Sequence, residues 1–454
     1  MKKRQGSLKN HLKNLVLVLL TLLLALLVAL NWGTGLGRDN APADSFFAQV
    51  YALLPMGDGG YIQRAGDTPA AYPSGIAMTA ADGLRGASYN ETAEGSLYES
   101  VRPLWADALA GARSFEKAEE AALQEALRGD TLFLSYNSSL PLSLLAGWMG
   151  ADPAHTDSRS VASLVLTRGG VLYVRDGADG MLYRTVGGVK VDAGVWERVA
   201  AGVTAPPCSY AGTLDTRVYG ALLPETLVPE GAAAYDVLQA RIPAFGDPAS
   251  GDSLQTLLAA FSYDPYVTNY SENDGATQVF VENYSALRVS QDGQVRFKAN
   301  SLSGGLPAYQ EGEVDAAGAL AAQVDYAHEV LNAALGAVGS TIPAELESVR
   351  LDAESGAWNV QFNQTVGGLP VRRADGQPLA RFTFQDGMLV AAELSLRDYV
   401  STGEKLYVLP VAQAAAALDG ASQYGYVVAY TDDGSGRLLP AAYRKDWRGG
   451  SAVG

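Results

Sequence analysis

The chain has 454 residues, with 49 acids against 33 bases and a single cysteine, Cys208. So acidic a balance excludes nucleic acid as a partner, because phosphate binding needs basic patches. One cysteine excludes an internal disulfide, so an exported chain of this kind holds itself together by burial. The length exceeds one ordinary domain, and 48% hydrophobic residues suffice for more than one core.

Lys2, Lys3, Arg4, Lys9 and Lys13 crowd the first 14 residues with no acid among them. The rest of the chain holds 28 bases against 49 acids, a net −21. From Leu15 to Leu30 only Thr21 is polar, and Trp32 closes the run. As a helix, residues 15–32 would extend roughly 27 Å, about one hydrocarbon core. The expected topology is a cytoplasmic tail (1–14), one transmembrane helix (15–32) and an extracytoplasmic bulk. A cleaved signal peptide is the rival, but its small-x-small site, Ala41-Pro42-Ala43, would lie more than ten residues past Leu30. Thr21, Ala25 and Ala29 recur every four residues. They are either filler between leucines or a close-packing face for a partner helix.

Ser45 to Leu54 reads as a brief helix, and residues 55–95 as loops and short strands. Ser96 to Arg128 carries apolar residues at helical spacing, with Pro103 expected to break or bend it. Thr131 to Ser135 reads as a buried strand. Ser160 to Thr167 and Val171 to Arg175 read as a hairpin about Arg168-Gly169-Gly170, Met181 to Val186 as a third strand, and Val195 to Ala200 as a helix. Residues 243–251 (PAFGDPASG) form the candidate linker. Beyond it a helix followed by a meander occurs twice. The first has a helix from Asp252 to Phe261 and strands 278–282, 286–290 and 295–299. The second has a helix capped by Asp315 and strands 346–352, 358–364, 380–385 and 388–397. A tail adds a helix (411–418) and strands 426–431 and 438–444.

The expected class is therefore α+β: an N-terminal transmembrane helix followed by extracytoplasmic units of a helix packed on an antiparallel sheet. The units expected are an N-terminal domain (45–242) and two related C-terminal ones (251–312 and 313–454).

Signatures of chemistry are sparse. His11 lies in the cytoplasmic tail, and His155 and His328 have no partners at ligand spacing, so no metal site is expected. Asp176-Gly177-Ala178-Asp179-Gly180 lacks the alternating ligands of a calcium loop and reads as a turn. Ser114-Phe115-Glu116-Lys117 matches Ser-x-x-Lys, and Tyr136-Asn137-Ser138 follows, but no Lys-Thr-Gly strand accompanies them. Phosphate loops are absent. The reading is a non-enzyme without cofactor.

Several stretches resemble the YycH/YycI-type regulatory proteins, with a unit order closer to the YycH type. They are Phe261-Ser262-Tyr263-Asp264-Pro265-Tyr266, Val279-Phe280-Val281-Glu282-Asn283, Leu287-Arg288-Val289-Ser290 with Asp292-Gly293, Gly367-Gly368-Leu369-Pro370-Val371, Leu394 to Tyr399, Leu409-Pro410-Val411 and Leu439 to Tyr443. The resemblance covers mainly residues 250–444. It implies a cell-membrane, single-pass accessory protein of a sensor histidine kinase in a two-component system controlling Gram-positive cell-wall metabolism. The implied partners are that kinase and a related accessory membrane protein. On this reading Thr21, Ala25 and Ala29 are candidates for helix contact. Tyr263, Tyr266 and Tyr270 are candidates for an exterior partner contact, or for a small satellite core. The alternative is a cell-wall- or ligand-binding extracytoplasmic module with no kinase partner, which predicts a concave aromatic-lined pocket.

Overall fold

The computed structural model describes residues 69–87, 97–152, 159–231, 233–242, 251–264, 266–282, 284–309, 316–418, 423–445 and 451–452. The predicted segments 15–32 and 45–54 lie outside them. Antiparallel sheets with helices packed on them make this an α+β structure. Among the described residues, a seven-stranded sheet is built from residues 75–185 and a fifteen-stranded one from residues 234–452.

In the first sheet, Thr131–Pro141 lies between Gly75–Ala80 and Ser160–Thr167, and the meander continues through Leu172–Asp176 and Leu182–Thr185. Gly170, at φ +80°, turns the predicted hairpin, a conformation without penalty for glycine. Helices Leu97–Gly111 and Leu142–Met149 cover one face. Val101, Leu104 and Trp105 are buried in the same core as Ile76, Leu132, Leu164 and Val174. Each such aliphatic or aromatic side chain contributes about 1.5–3 kcal/mol by leaving water.

The run 96–128 departs from expectation. It is not one helical stretch: helix Leu97–Gly111 runs through Pro103, a short strand Phe115–Lys117 follows, and a second helix spans Glu120–Ala126. The strand pairs with Leu182–Thr185 at the edge of the sheet, where Glu116 faces Arg184 and joins it at 2.6 Å. Pro103 is accommodated inside a helix whose buried Val101, Leu104 and Trp105 fix it to the sheet. The match Ser114 to Lys117 is thereby explained as sheet edge.

In the second sheet, Thr277–Glu282, Ser285–Ser290 and Gln294–Ala299 form the predicted meander, and Gln294–Ala299 pairs directly with Met388–Ser395. The two predicted helix-plus-meander patterns thus share one ladder. Helices Gly251–Ala260 and Ala316–Ala337 pack on its inner face, where Leu257, Phe261, Val324 and Leu331 meet Phe280, Phe297, Phe362, Phe382 and Leu394. Strand Ala234–Arg241 pairs with Asp398–Tyr407 and Arg437–Lys445, far along the chain.

The described residues belong to one compact unit, and both helical layers feed one continuous core. Strand Thr131–Pro141 bulges between Ser135 and Leu140, and the bulge is the joint between the sheets. Asn137 Nδ2 donates to the Gly368 carbonyl at 3.3 Å, and Ser138 Oγ to that of Leu346 at 2.8 Å. The motif Tyr136-Asn137-Ser138 is accordingly a docking element.

Candidate functional site

The aromatic segment 261–284 begins where helix Gly251–Ala260 ends. Ser262, at φ +58°, turns the chain, and Tyr263 returns into the core. Tyr263 is 5% exposed, its ring sits edge-on to Phe297, and its hydroxyl hydrogen-bonds Ser285 at 2.7 Å. Burial raises its pKa. Tyr263 is a core residue and not part of the surface.

Tyr266 and Tyr270 face the other way. The Asp264 carboxylate accepts from the Tyr266 amide at 2.8 Å, and the Asp264 amide donates to the Glu282 carboxylate at 3.0 Å. These two bonds hold Tyr266, 92% exposed, beside the end of strand Thr277–Glu282. Tyr270, 48% exposed, lies in the edge strand Asn269–Glu272 opposite Val279. Side chains alternate along a strand, and Phe280 points into the core. Tyr270, Val279 and Val281 therefore share the face turned away from the helices.

Tyr284 joins this surface without having been singled out in the sequence. It is 74% exposed at the next hairpin end, at φ +63°. A bulky side chain in the left-handed region is an outlier with a cost of order 1 kcal/mol or more. Tyr266 and Tyr284 are thus exposed at one end of strand Thr277–Glu282, and Tyr270 and Val281 on the sheet face turned away from the helices. Aromatic side chains of this kind are enriched in protein–protein interfaces.

A second feature is a cavity of about 230 Å³ at the joint of the sheets. Ser135, Asn137, Glu225, Thr226, Tyr235 and Tyr426 are among its walls. Glu225 is held by Arg175, which is 1% exposed. Arg175 Nε and Nη2 donate to the two Glu225 oxygens at 2.9 Å each, and its Nη1 and Nη2 also reach Glu120. Ser163 Oγ adds a bond to Glu225 at 3.2 Å. Burial disfavours the Glu225 charge, but the Arg175 guanidinium outweighs it and holds the carboxyl below its usual pKa. Cys208 also lines the cavity, and burial raises its thiol to about 11, so it stays protonated and unreactive at neutral pH.

Among the described residues, no three His, Cys, Asp or Glu side chains cluster as metal ligands. His328 is stacked on Phe362, its Nε2 lies 3.1 Å from the Ala344 carbonyl, and burial lowers its pKa to about 4. Asp176 and Asp179 accept from the amides of Ala178 and Met181 at 2.7 and 2.8 Å, which makes their loop a pair of turns. Thr21, Ala25 and Ala29 lie outside the described residues. Among the described residues no helix is long and apolar enough to cross a membrane.

No protein-family profile and no curated protein sequence matches the chain. Two solved structures resemble it. The crystal structure of YycH from Bacillus subtilis is 12% identical, with a TM-score of 0.51, over 87% of this chain and 99% of that one. An uncharacterized protein from Eubacterium rectale is 13% identical, with a TM-score of 0.31, over 48% of this chain and 78% of that one. The chain shares the YycH-type fold.

Proposed function

We propose that this chain is a membrane-anchored, non-catalytic extracytoplasmic regulator of a sensor histidine kinase in a two-component system acting on cell-wall metabolism. The observation that carries the reading is the YycH-type fold, matched over 99% of the Bacillus subtilis chain. Residues 15–32 would be the anchor, residues 1–14 its cytoplasmic tail, and Thr21, Ala25 and Ala29 a face for a partner helix. Outside, the exposed Tyr266, Tyr270, Val281 and Tyr284 would meet the kinase or a related accessory protein. A regulator of this kind works by contacting one state of a two-state kinase more tightly than the other.

Co-purification from detergent-solubilised native membranes tests the reading. A sensor kinase is expected to accompany the intact chain. It should fade when Thr21, Ala25 and Ala29 are all changed to Leu, or when Tyr266 and Tyr284 are both changed to Ser. If no kinase accompanies the intact chain, the reading fails.

A further inference from the structure

Three parts of the chain line the cavity at the sheet joint: strands of the first sheet, the antiparallel pair Cys208–Tyr210 and Leu227–Pro229, and residues 408–411 and 425–428 beside the second sheet. Ligand pockets recur at such junctions. Its volume, about 230 Å³, lies just below the ~300 Å³ at which drug-sized sites begin, so it suits one ring-sized ligand.

The walls define the chemistry of that ligand. Among the described residues Glu225 is the one charged residue lining the cavity, and both of its oxygens already accept from Arg175. An anionic ligand would surrender its hydration and meet a carboxylate with no free cation beside it. Tyr235, Tyr426 and Leu409 supply apolar surface. The hydroxyls of Tyr235 and Thr226 make no hydrogen bond to any described residue. A purely apolar ligand would leave them unpaired as it displaced water.

We propose that this cavity binds a neutral pyranose, with a ring face on the tyrosines and ring hydroxyls on Tyr235, Thr226 and Ser135. The proposal rests on the cavity alone and stands or falls separately from the kinase reading.

Saturation-transfer NMR on the full chain in detergent tests it, with glucose, N-acetylglucosamine, glucuronate and cyclohexanol as probes. Glucose or N-acetylglucosamine should bind saturably, and glucuronate about tenfold more weakly or not at all. Tyr235→Phe and Thr226→Val should each weaken the sugar about five- to tenfold. Ala233→Trp, at an exposed position on the rim, should block it. Circular dichroism melts of all three variants should match the parent, so that loss of binding is not loss of fold. The proposal is overturned if neither neutral sugar binds, if cyclohexanol binds as well as they do, or if Ala233→Trp leaves sugar binding unchanged.

Discussion

Ser138 Oγ donates to the main-chain carbonyl of Leu346 at 2.8 Å, across 208 positions of chain. The Leu346 amide meanwhile donates to the Ala70 carbonyl at 2.7 Å. Leu346 is therefore held by the first sheet's side of the joint through both of its main-chain polar groups. Ser138→Ala should cost about 1 kcal/mol, and Ser138→Ala with Asn137→Ala about 2 kcal/mol, since each removes one neutral hydrogen bond. Urea unfolding followed by fluorescence reads this as a lower midpoint. Because both helical layers share one core, the parent should unfold in one transition; two separate transitions would refute the shared core.

Arg175 makes a different kind of contact, one in which breaking the pair costs more than forming it contributes. Glu225→Ala leaves a guanidinium at 1% exposure without its buried partner and should destabilise by about 3–5 kcal/mol. Glu120→Ala removes a partner that is 39% exposed and should cost about 1 kcal/mol, as for surface pairs. Glu225 has a folded pKa below its ordinary value, so the pair's contribution is full above the unfolded carboxyl pKa and is lost as acid protonates the folded group. Unfolding midpoints of the two variants at pH 7 decide the ordering; equal losses would contradict it.

Much of this fold was legible because local signals and tertiary packing agree. The turns Gln291 to Gln294 and Gln385 to Gly387 flank alternating runs, and the strands stand where the period places them. Asp398–Tyr407 was missed because it is a sheet edge, mostly exposed, and lacks a hydrophobic period. Pairing of Ala234–Arg241 with that edge spans more than 150 residues and leaves no local trace. The surface was legible only in part. Tyr263 and Tyr266 stand three residues apart in one aromatic run. What separates core from surface is the positive φ of Ser262 and the Asp264–Glu282 bond, neither of which the sequence period contains.

Helix Ala316–Ala337 carries two groups whose titrations oppose each other. Burial, assisted by Glu329, raises Asp325 to about 7, while burial lowers His328 to about 4. Between pH 4 and 7 the folded state holds a proton on Asp325 that the unfolded chain has released, so Asp325 favours folding at low pH and loses that contribution as pH rises through 7. His328 does the reverse: the unfolded chain binds the proton first, so stability falls as pH drops from about 6.5 to 4. Asp325→Asn should therefore be near neutral at pH 4 and stabilising by about 2 kcal/mol at pH 8. His328→Gln should flatten the acid limb. Urea midpoints from pH 4 to 8 check both, and an Asp325→Asn effect independent of pH would refute the assignment.

Tyr284 separates stability from partner contact most sharply. Its φ of +63° is one that asparagine or glycine adopts at little cost and tyrosine does not. Its side chain is 74% exposed, so little packing offsets the strain. Tyr284→Asn should therefore raise the unfolding midpoint by the equivalent of about 0.5–1 kcal/mol. If the exposed aromatic residues are the kinase contact, the same variant should recover less kinase from membranes although it is the more stable protein. Tyr263→Phe supplies the contrast: it loses the bond to Ser285, should cost about 1 kcal/mol, and should leave kinase recovery unchanged. Lower stability of Tyr284→Asn would show that the strained tyrosine is held by packing. Greater stability with undiminished recovery would remove Tyr284 from the contact surface.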